Sequence, residues 1–251
     1  MIYVLLFVLG ISLGSFASVV IHRLHMQERG IFWGRSKCPH CENALRPMDL
    51  IPVISFLLNK FKCHFCKKPI LARYPLIEIS MGVFFLLTAK LVGLGNIPLL
   101  VFYLIVTFAF VLLTFYDILF QEIPDSVSIP TALLSIAAIL SFGIHSINQT
   151  VIGLAVPIFF FGALFFFSKG SWLGGGDIRI GAIMGALLGW PDILTGLFLG
   201  YLFGALFSLI GIAIKKLTRK SHIPFAPFLL LGTYITIFWS QAILNWYLGI
   251  S

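Results

Sequence analysis

The sequence predicts an all-α membrane protein that crosses the bilayer about eight times. Of its 251 residues, 59% are hydrophobic and only 10% are charged, whereas a soluble domain carries about 25% charged residues. The mean hydropathy is +1.04. Apolar stretches such as 98–116 and 193–214 reach the length of about 18 residues that marks a transmembrane helix. Together these observations exclude an ordinary soluble globular protein.

Apolar runs, taken with the breaks between them, define the predicted spans. They cover residues 2–21, 76–92, 98–116, 127–145, 150–168, 178–190, 193–214 and 227–247. Residues 1–21 have no basic leading region and no small-residue cleavage site, so a retained first span is expected rather than a removable signal peptide. The predicted domains are therefore this span, a loop module over 22–75, and a seven-helix membrane domain over 76–251.

The basic residues predict the orientation of these spans. All but Lys90 of the 17 Lys and Arg residues lie in or beside four connections, 22–75, 117–126, 169–177 and 215–226. Because loops rich in Lys and Arg remain in the cytoplasm, these four connections are predicted to be cytoplasmic and both termini to be outside. The net charge of +8 follows from this asymmetry, and no nucleic-acid partner is expected.

Small residues recur at four-residue spacing in three of the spans, a pattern typical of closely packed membrane helices. The first span carries Gly10, Gly14 and Ser18. The sixth and seventh carry Gly181, Gly185, Gly189, Gly196, Gly200 and Gly204. The simplest interpretation is that the sixth and seventh spans pack tightly against each other.

All four cysteines lie in the long loop, as the pairs Cys38–Cys41 and Cys63–Cys66. In a reducing compartment two C-x-x-C pairs indicate a metal site rather than disulfides. Four thiolates suit tetrahedral Zn²⁺, although His40 and His64 could substitute as ligands. A closed four-thiolate site has no open position for substrate, so a structural role is predicted. The fold class thus includes a small cytoplasmic zinc-binding module between the first two transmembrane helices.

Five of the nine acidic residues stand where predicted spans meet the cytoplasm: Glu78, Asp117, Glu122, Asp125 and Asp177. Asp117 ends the third span, and Asp177 follows three glycines at the start of the sixth. The third span runs inward and the sixth runs outward, so both carboxylates are expected at the same membrane face. Ionisable groups at membrane depth are functional candidates. Asp125 and Asp192 each follow a proline at a helix start and are most simply helix caps.

Paired carboxylates can share one proton, since two close negative charges are costly. The ionised member then deprotonates water and the protonated member donates to a peptide carbonyl oxygen. The glycines before Asp177 let backbone and substrate approach closely. The pair therefore favours aspartic proteolysis.

The ordered motifs resemble those of the type IV prepilin peptidase family, which belongs to the G-x-G-D membrane aspartyl proteases. The resemblance covers nearly the whole chain. The matching segments are Gly14–Arg23, the two C-x-x-C pairs, Asp49–Pro52, Arg73–Glu78, Asp117, Ile123–Asp125 and Gly174–Asp177. The chain departs from the family at Ala17–Ser18, where Asn is frequent, and at Ile118–Phe120, where polar residues are common.

The resemblance implies an inner-membrane endopeptidase that removes basic leaders from prepilins and pseudopilins of pili or type II secretion. It implies Asp117 and Asp177 as the catalytic pair, with Asp125, Gly174 and Gly176 in supporting roles. It also implies methylation of the new amino terminus with S-adenosylmethionine, for which Arg73 and Glu78 are the candidate cofactor-binding residues.

Two other classes of protein remain open at this point. A secondary transporter could use Asp117 and Asp177 for proton coupling, although such sites lie near the bilayer midplane. A zinc-bearing scaffold of a pilus or secretion machine would need no catalytic carboxylates. Loss of substrate processing on replacing one carboxylate distinguishes the protease from both.

Overall fold

The computed structural model describes residues 1–27, 36–38, 40–171, 173–218 and 221–248. Its helices are α1 Ile2–His25, a 3₁₀ helix Pro47–Leu50, α2 Ile54–Leu58, α3 Arg73–Val92, α4 Ile97–Phe120, α5 Asp125–Phe142, α6 Ile147–Ser168, α7 Gly175–Leu188, α8 Asp192–Ala213 and α9 Ala226–Leu248. In these ranges β structure is limited to isolated bridges that join Lys37 to Ala44 and Lys62 to Pro69. The all-helical prediction is confirmed.

Each predicted span corresponds to a helix, but not every helix is long enough to cross a bilayer. Within the described ranges, six helices have the necessary length and apolar composition: α1, α3, α4, α5, α6 and α8. Helix α7 has 14 residues, and the apolar part of α9 is described over Ala226–Ser240. The total of eight crossings stays a prediction. The basic residues Arg29, Arg35, Arg219 and Lys220, used for the orientation, lie outside the described residues.

The chain divides into two compact units, Met1–Phe115 and Tyr116–Ser251. In the first unit, α1 packs along α3 through its small residues. A Cβ atom on Gly10 would lie 2.7 Å from the Cα of Gly82, and one on Gly14 would lie 2.6 Å from the Cα of Glu78. The close packing predicted for α1 is therefore confirmed, and its partner is α3.

Helix α7 lies at the centre of the second unit. It packs against α5, α6, α8 and α9, and its side chains Ile180, Ile183 and Met184 are fully buried. A helix surrounded by protein does not have to match the thickness of the hydrocarbon core. This explains why the predicted sixth span is short.

The prediction that the glycine ladders of α7 and α8 pack against each other is wrong for most of their members. On α7, Gly181 faces Phe161 of α6, and Gly185 faces Gly153 of the same helix. On α8, Gly200 faces Leu229 of α9. The spacing of small residues identifies a face that packs closely, but it does not identify the partner helix, because packing is decided by the whole bundle.

Enlarging Gly185 is expected to destabilise the second unit. A Cβ atom there would meet the backbone of Gly153 and would lie 2.8 Å from the Cα of Leu154. Overpacking of this kind costs about 1–3 kcal/mol. Gly185→Ala should therefore lower the thermal unfolding midpoint in detergent. The matched control is Gly162→Ala on α6, whose Cβ would meet none of the described residues within 4 Å. Equal midpoints for the two variants would contradict the close α6–α7 contact.

Candidate active site

Asp117 lies in the last turn of α4, at the point where this long apolar helix ends. Its side chain is only 6% exposed. One oxygen, Oδ2, accepts a hydrogen bond from the backbone N–H of Ala226 at 3.1 Å, at the first residue of α9. The backbone of α9 therefore fixes the orientation of the Asp117 carboxylate.

Asp177 is the third residue of α7, and Gly174 is the N-cap residue of that helix. A carboxylate in the first turn is favoured by the partial positive charge at a helix N-terminus. Gly176 is needed for close approach, because a Cβ atom there would lie 2.7 Å from Cγ1 of Ile123. A Cβ atom on Gly174 would have more room, since its nearest neighbours in the described part of the chain would be atoms of Asp177 and Gly176, each 3.9 Å away.

Asp117 and Asp177 line the same cavity, which has a volume of about 750 Å³ and is formed within the second unit. Two carboxylates that line one cavity repel each other when both are ionised. Repulsion of this kind favours the state in which one carboxyl group is protonated and the other is ionised. A pair in that state can offer a proton donor and a proton acceptor in one cavity.

The expectation that Asp125 caps α5 is wrong. Pro124 occupies the N-cap position, and this helix end has no side-chain cap bond among the described residues. The Asp125 carboxylate instead forms an ion pair with Arg179 of α7. Asp192 likewise lies in the first turn of α8 after the N-cap residue Pro191, and no side-chain cap bond is described at that end.

Arg179 also lines the cavity, although the sequence predicted for it only a role in membrane orientation, as a basic residue beside the connection 169–177. In addition to the Asp125 ion pair, its Nη2 atom donates to the carbonyl oxygen of Ile123 at 2.8 Å. Ile123 is the residue that packs against Gly176. Arg179 therefore holds the α4–α5 connection against the first turn of α7, beside Asp177.

Other side chains that line the cavity carry no recognisable sequence signal. They include Gln121, Glu122, Tyr201 and His222. The side chain of Gln121 donates to the carbonyl oxygen of His222 at 3.3 Å, which joins the end of α4 to the segment before α9. Tyr201 lies edge-on to Phe160, with 5.8 Å between the ring centroids. These residues come together only when α4, α8 and the segment before α9 are assembled.

The four cysteines form a second site, in the first unit. Their four sulfur atoms all lie within 4.8 Å of one another, and the sulfurs of Cys38 and Cys66 are 3.9 Å apart. Four sulfurs at about 2.3 Å from a tetrahedral Zn²⁺ would be separated by about 3.8 Å. The cluster therefore fits such an ion. Pro39 of the first pair lies outside the described residues.

The surroundings of Cys38 favour its thiolate, which is the form that binds a metal. Burial acts to raise the pKa of the Cys38 thiol, but hydrogen bonds from the backbone N–H groups of His40 and Cys41 lower it to about 7. The two isolated β-bridges adjoin the cysteine pairs: Lys37 precedes Cys38, and Lys62 precedes Cys63. The turns closed by these bridges contain the four sulfurs that lie within 4.8 Å of one another.

The residues predicted to bind a methyl donor already have partners in the first unit. Glu78 is 8% exposed, and its Oε2 atom accepts from the backbone N–H of Val53 at 2.7 Å. The guanidinium of Arg73 lies over the ring of Tyr74, 5.2 Å from its centroid. We therefore assign no step of methyl transfer to either side chain, and their part in cofactor binding stays a prediction.

A helical membrane protein with two carboxylates in one cavity defines the class of a candidate intramembrane aspartyl protease. Comparison with known protein families indicates which group of proteases the chain resembles. Residues 8–92 match the bacterial peptidase A24 N-terminal domain, and residues 103–209 match the type IV leader peptidase family.

Curated relatives match along almost the whole chain. Three examples, each named prepilin leader peptidase/N-methyltransferase, show the extent of the match. The protein of Aeromonas hydrophila is 30% identical over 97% of this chain and 93% of its own length. That of Legionella pneumophila is 28% identical over 98% and 94%, and that of Bacillus subtilis strain 168 is 29% identical over 97% and 97%. No solved structure gives a significant match. The chain belongs to the type IV leader peptidase family.

Proposed function

We propose that this chain is a membrane-embedded aspartic endopeptidase that removes the basic leader peptide from prepilins and pseudopilins at the cytoplasmic membrane face. The single observation that carries the proposal is the presence of Asp117 and Asp177 in one cavity. Family membership supports the substrate class, since the curated relatives are named prepilin leader peptidases.

In the proposed mechanism, one carboxylate of the pair takes a proton from a water molecule, which attacks the carbonyl carbon of the scissile peptide bond. The other carboxyl group gives its proton to the carbonyl oxygen. The tetrahedral intermediate then collapses, the C–N bond breaks, and the leaving amine takes up a proton from the pair. The hydrogen bond from Ala226 to Asp117 supports ionised Asp117 as the base, because it stabilises negative charge on that side chain.

We also propose that the chain methylates the amino terminus that cleavage exposes, with S-adenosylmethionine as methyl donor. The names of the relatives support this second activity. Zn²⁺ held by Cys38, Cys41, Cys63 and Cys66 would have a structural role, since four thiolates leave no open coordination position. The metal would stabilise a segment that has little apolar core of its own.

The proposed location is the bacterial inner membrane, with both termini outside and with the loop module over 22–75, which we call the cysteine module, in the cytoplasm. The distribution of Lys and Arg supports this orientation. A proton-coupled transporter is the less favoured alternative. Asp117 lies in the last turn of α4 and Asp177 in the first turn of α7, at helix ends rather than at the middle of a span.

The proposal is tested by incubating the detergent-purified protein with a prepilin and S-adenosylmethionine, followed by mass spectrometry of the substrate's amino terminus. We expect loss of the leader and, on the shortened product, the added mass of one methyl group. Leader removal should not require S-adenosylmethionine. An intact prepilin under all conditions would contradict the peptidase assignment, and a cleaved but unmethylated product would contradict only the second activity.

Replacing Arg179 should impair leader removal more than it impairs folding. Arg179→Ala removes the bond to the Ile123 carbonyl and so releases the connection that packs against Gly176. Displacement of an active-site element by about 1 Å can reduce the rate by about a hundredfold, whereas ion pairs with an exposed partner contribute little stability. We expect a lower kcat with a nearly unchanged unfolding midpoint.

Asp125→Asn is the matched comparison for the Arg179 variant. It weakens the ion pair but leaves the bond to Ile123 in place, so its effect on kcat should be smaller. Equal losses in the two variants would show that the ion pair, rather than the contact with Ile123, carries the effect.

A further inference from the structure

The segment between the two cysteine pairs exposes several large apolar side chains. It comprises Pro47–Phe61 and contains the 3₁₀ helix and α2; we call it the interfacial segment. On α2, Ile54, Leu57 and Leu58 lie at positions i, i+3 and i+4, and therefore on one face. All three are exposed, Leu58 by 74%. Met48, before α2, is exposed by 76%.

This apolar face is held at the level where a transmembrane helix begins. The backbone N–H of Val53, immediately before α2, donates to the buried carboxylate of Glu78. Glu78 follows the first residue of α3, Arg73, by five positions, which corresponds to about 7.5 Å along the helix axis. Helix α3 is a candidate membrane span. The interfacial segment is therefore fixed beside the first two turns of a membrane helix and cannot lie far from the bilayer surface.

Side chains of α3 at the same level are also exposed. Leu76 and Ile79, on either side of Glu78 in the sequence, are exposed apolar residues. On a transmembrane helix, exposed apolar side chains face lipid. The apolar face of α2 and this part of α3 therefore lie at a similar depth relative to the bilayer, and both expose apolar side chains.

The charge around the interfacial segment is positive. Four exposed lysines follow α2 within ten residues: Lys60, Lys62, Lys67 and Lys68. Apolar side chains accompanied by lysines characterise protein segments that lie in the membrane interface. Lysines near the bilayer surface are attracted to anionic lipid headgroups, and their long side chains can reach the headgroups while the apolar residues enter the lipid.

We propose that the interfacial segment docks on the lipid bilayer, with Ile54, Leu57 and Leu58 inserted among the headgroups and upper acyl chains, and with the neighbouring lysines on anionic headgroups. The occupant of this face is lipid rather than a protein partner. The cysteine module is thereby held at the membrane surface at two points, the Val53–Glu78 hydrogen bond and the inserted side chains of α2.

Photocrosslinking of the full chain in lipid nanodiscs tests this proposal. Benzoylphenylalanine would replace Leu58 in one variant and Asn43, an exposed residue of the same module, in the matched control. In discs that contain phosphatidylglycerol, we expect severalfold more protein–lipid adduct, measured by mass spectrometry, at position 58 than at position 43. Equal yields at the two positions would overturn the proposal, as would crosslinks from position 58 to a second copy of the chain or to an added prepilin.

Two further experiments separate the contribution of the apolar side chains to bilayer docking from that of the lysines. With the probe at position 54, Leu57→Ser combined with Leu58→Ser should lower the adduct yield severalfold, because insertion loses its apolar anchors. Discs made only of neutral phosphatidylcholine should also lower the yield at position 58. An unchanged yield in the serine variant would overturn insertion, and an unchanged yield in neutral discs would overturn the role of the lysines. Neither readout depends on peptidase activity.

Discussion

Asp117→Asn and Asp177→Asn are each expected to lower the rate of leader removal by at least about a hundredfold, which is the scale of general acid–base catalysis. Each replacement preserves the size of the side chain but removes a group that can accept or donate the transferred proton. Both side chains line the same cavity, so the loss of either leaves the other without its partner. The measurement is the single-turnover rate of prepilin cleavage, followed by mass spectrometry.

The control for the Asp variants is Asp192→Asn. Asp192 is also a carboxylate in a first helical turn, but it begins α8 after the α7–α8 connection, at the other end of α7 from Asp177. We expect this variant to cleave at the wild-type rate. Wild-type cleavage by either cavity variant would mean that the pair is misassigned, and Asp125 would be the next carboxylate to replace. Unfolding midpoints close to wild type would confirm that loss of activity is not loss of the fold.

Those features that depend on local sequence could be predicted without a structure. A run of apolar residues predicts a helix, so the helices that contain Asp117 and Asp177 were located correctly, although α7, with 14 residues, is shorter than the predicted crossing required. The two carboxylates were predicted to lie together because the third and sixth predicted spans run in opposite directions, which brings the end of one and the start of the other to the same face. In the structure both residues line one cavity. The C-x-x-C spacing similarly predicts a cluster of four sulfurs that could hold a metal, and the structure brings these four sulfurs within 4.8 Å of one another.

Features that depend on the assembly of distant helices could not be predicted. The glycines of α7 pack on α6 rather than on the next helix in the chain, because a helix inside a bundle has several neighbours of similar shape. The charge of Arg179 was explained by membrane orientation alone, so the sequence did not predict its contact with Ile123, 56 residues earlier in the chain. The hydrogen bond from Ala226 to Asp117 joins residues 109 positions apart. Its donor is a backbone N–H, which every residue except proline has, so the sequence does not indicate which one is used.

Replacing the buried cysteines should separate the two proposed activities. Cys38 and Cys63, one from each pair, are 5% and 4% exposed, so Cys38→Ser and Cys63→Ser each remove a buried sulfur from the proposed metal site. We expect the purified variants to lose bound zinc, measured by mass spectrometry of the metal, and to lose amino-terminal methylation. The reason is that metal binding and folding of such a segment are one equilibrium.

Leader removal should survive in both serine variants, with a rate within about tenfold of wild type, because Asp117, Asp177 and the rest of their cavity belong to the second unit. His40→Ala is the matched control: His40 lies inside the first cysteine pair but is exposed, and the metal-competent cluster consists of the four sulfurs. It should keep both zinc and methylation. Zinc retained by the serine variants would contradict the four-thiolate site, whereas loss of leader removal together with methylation would mean that the peptidase site depends on a folded cysteine module.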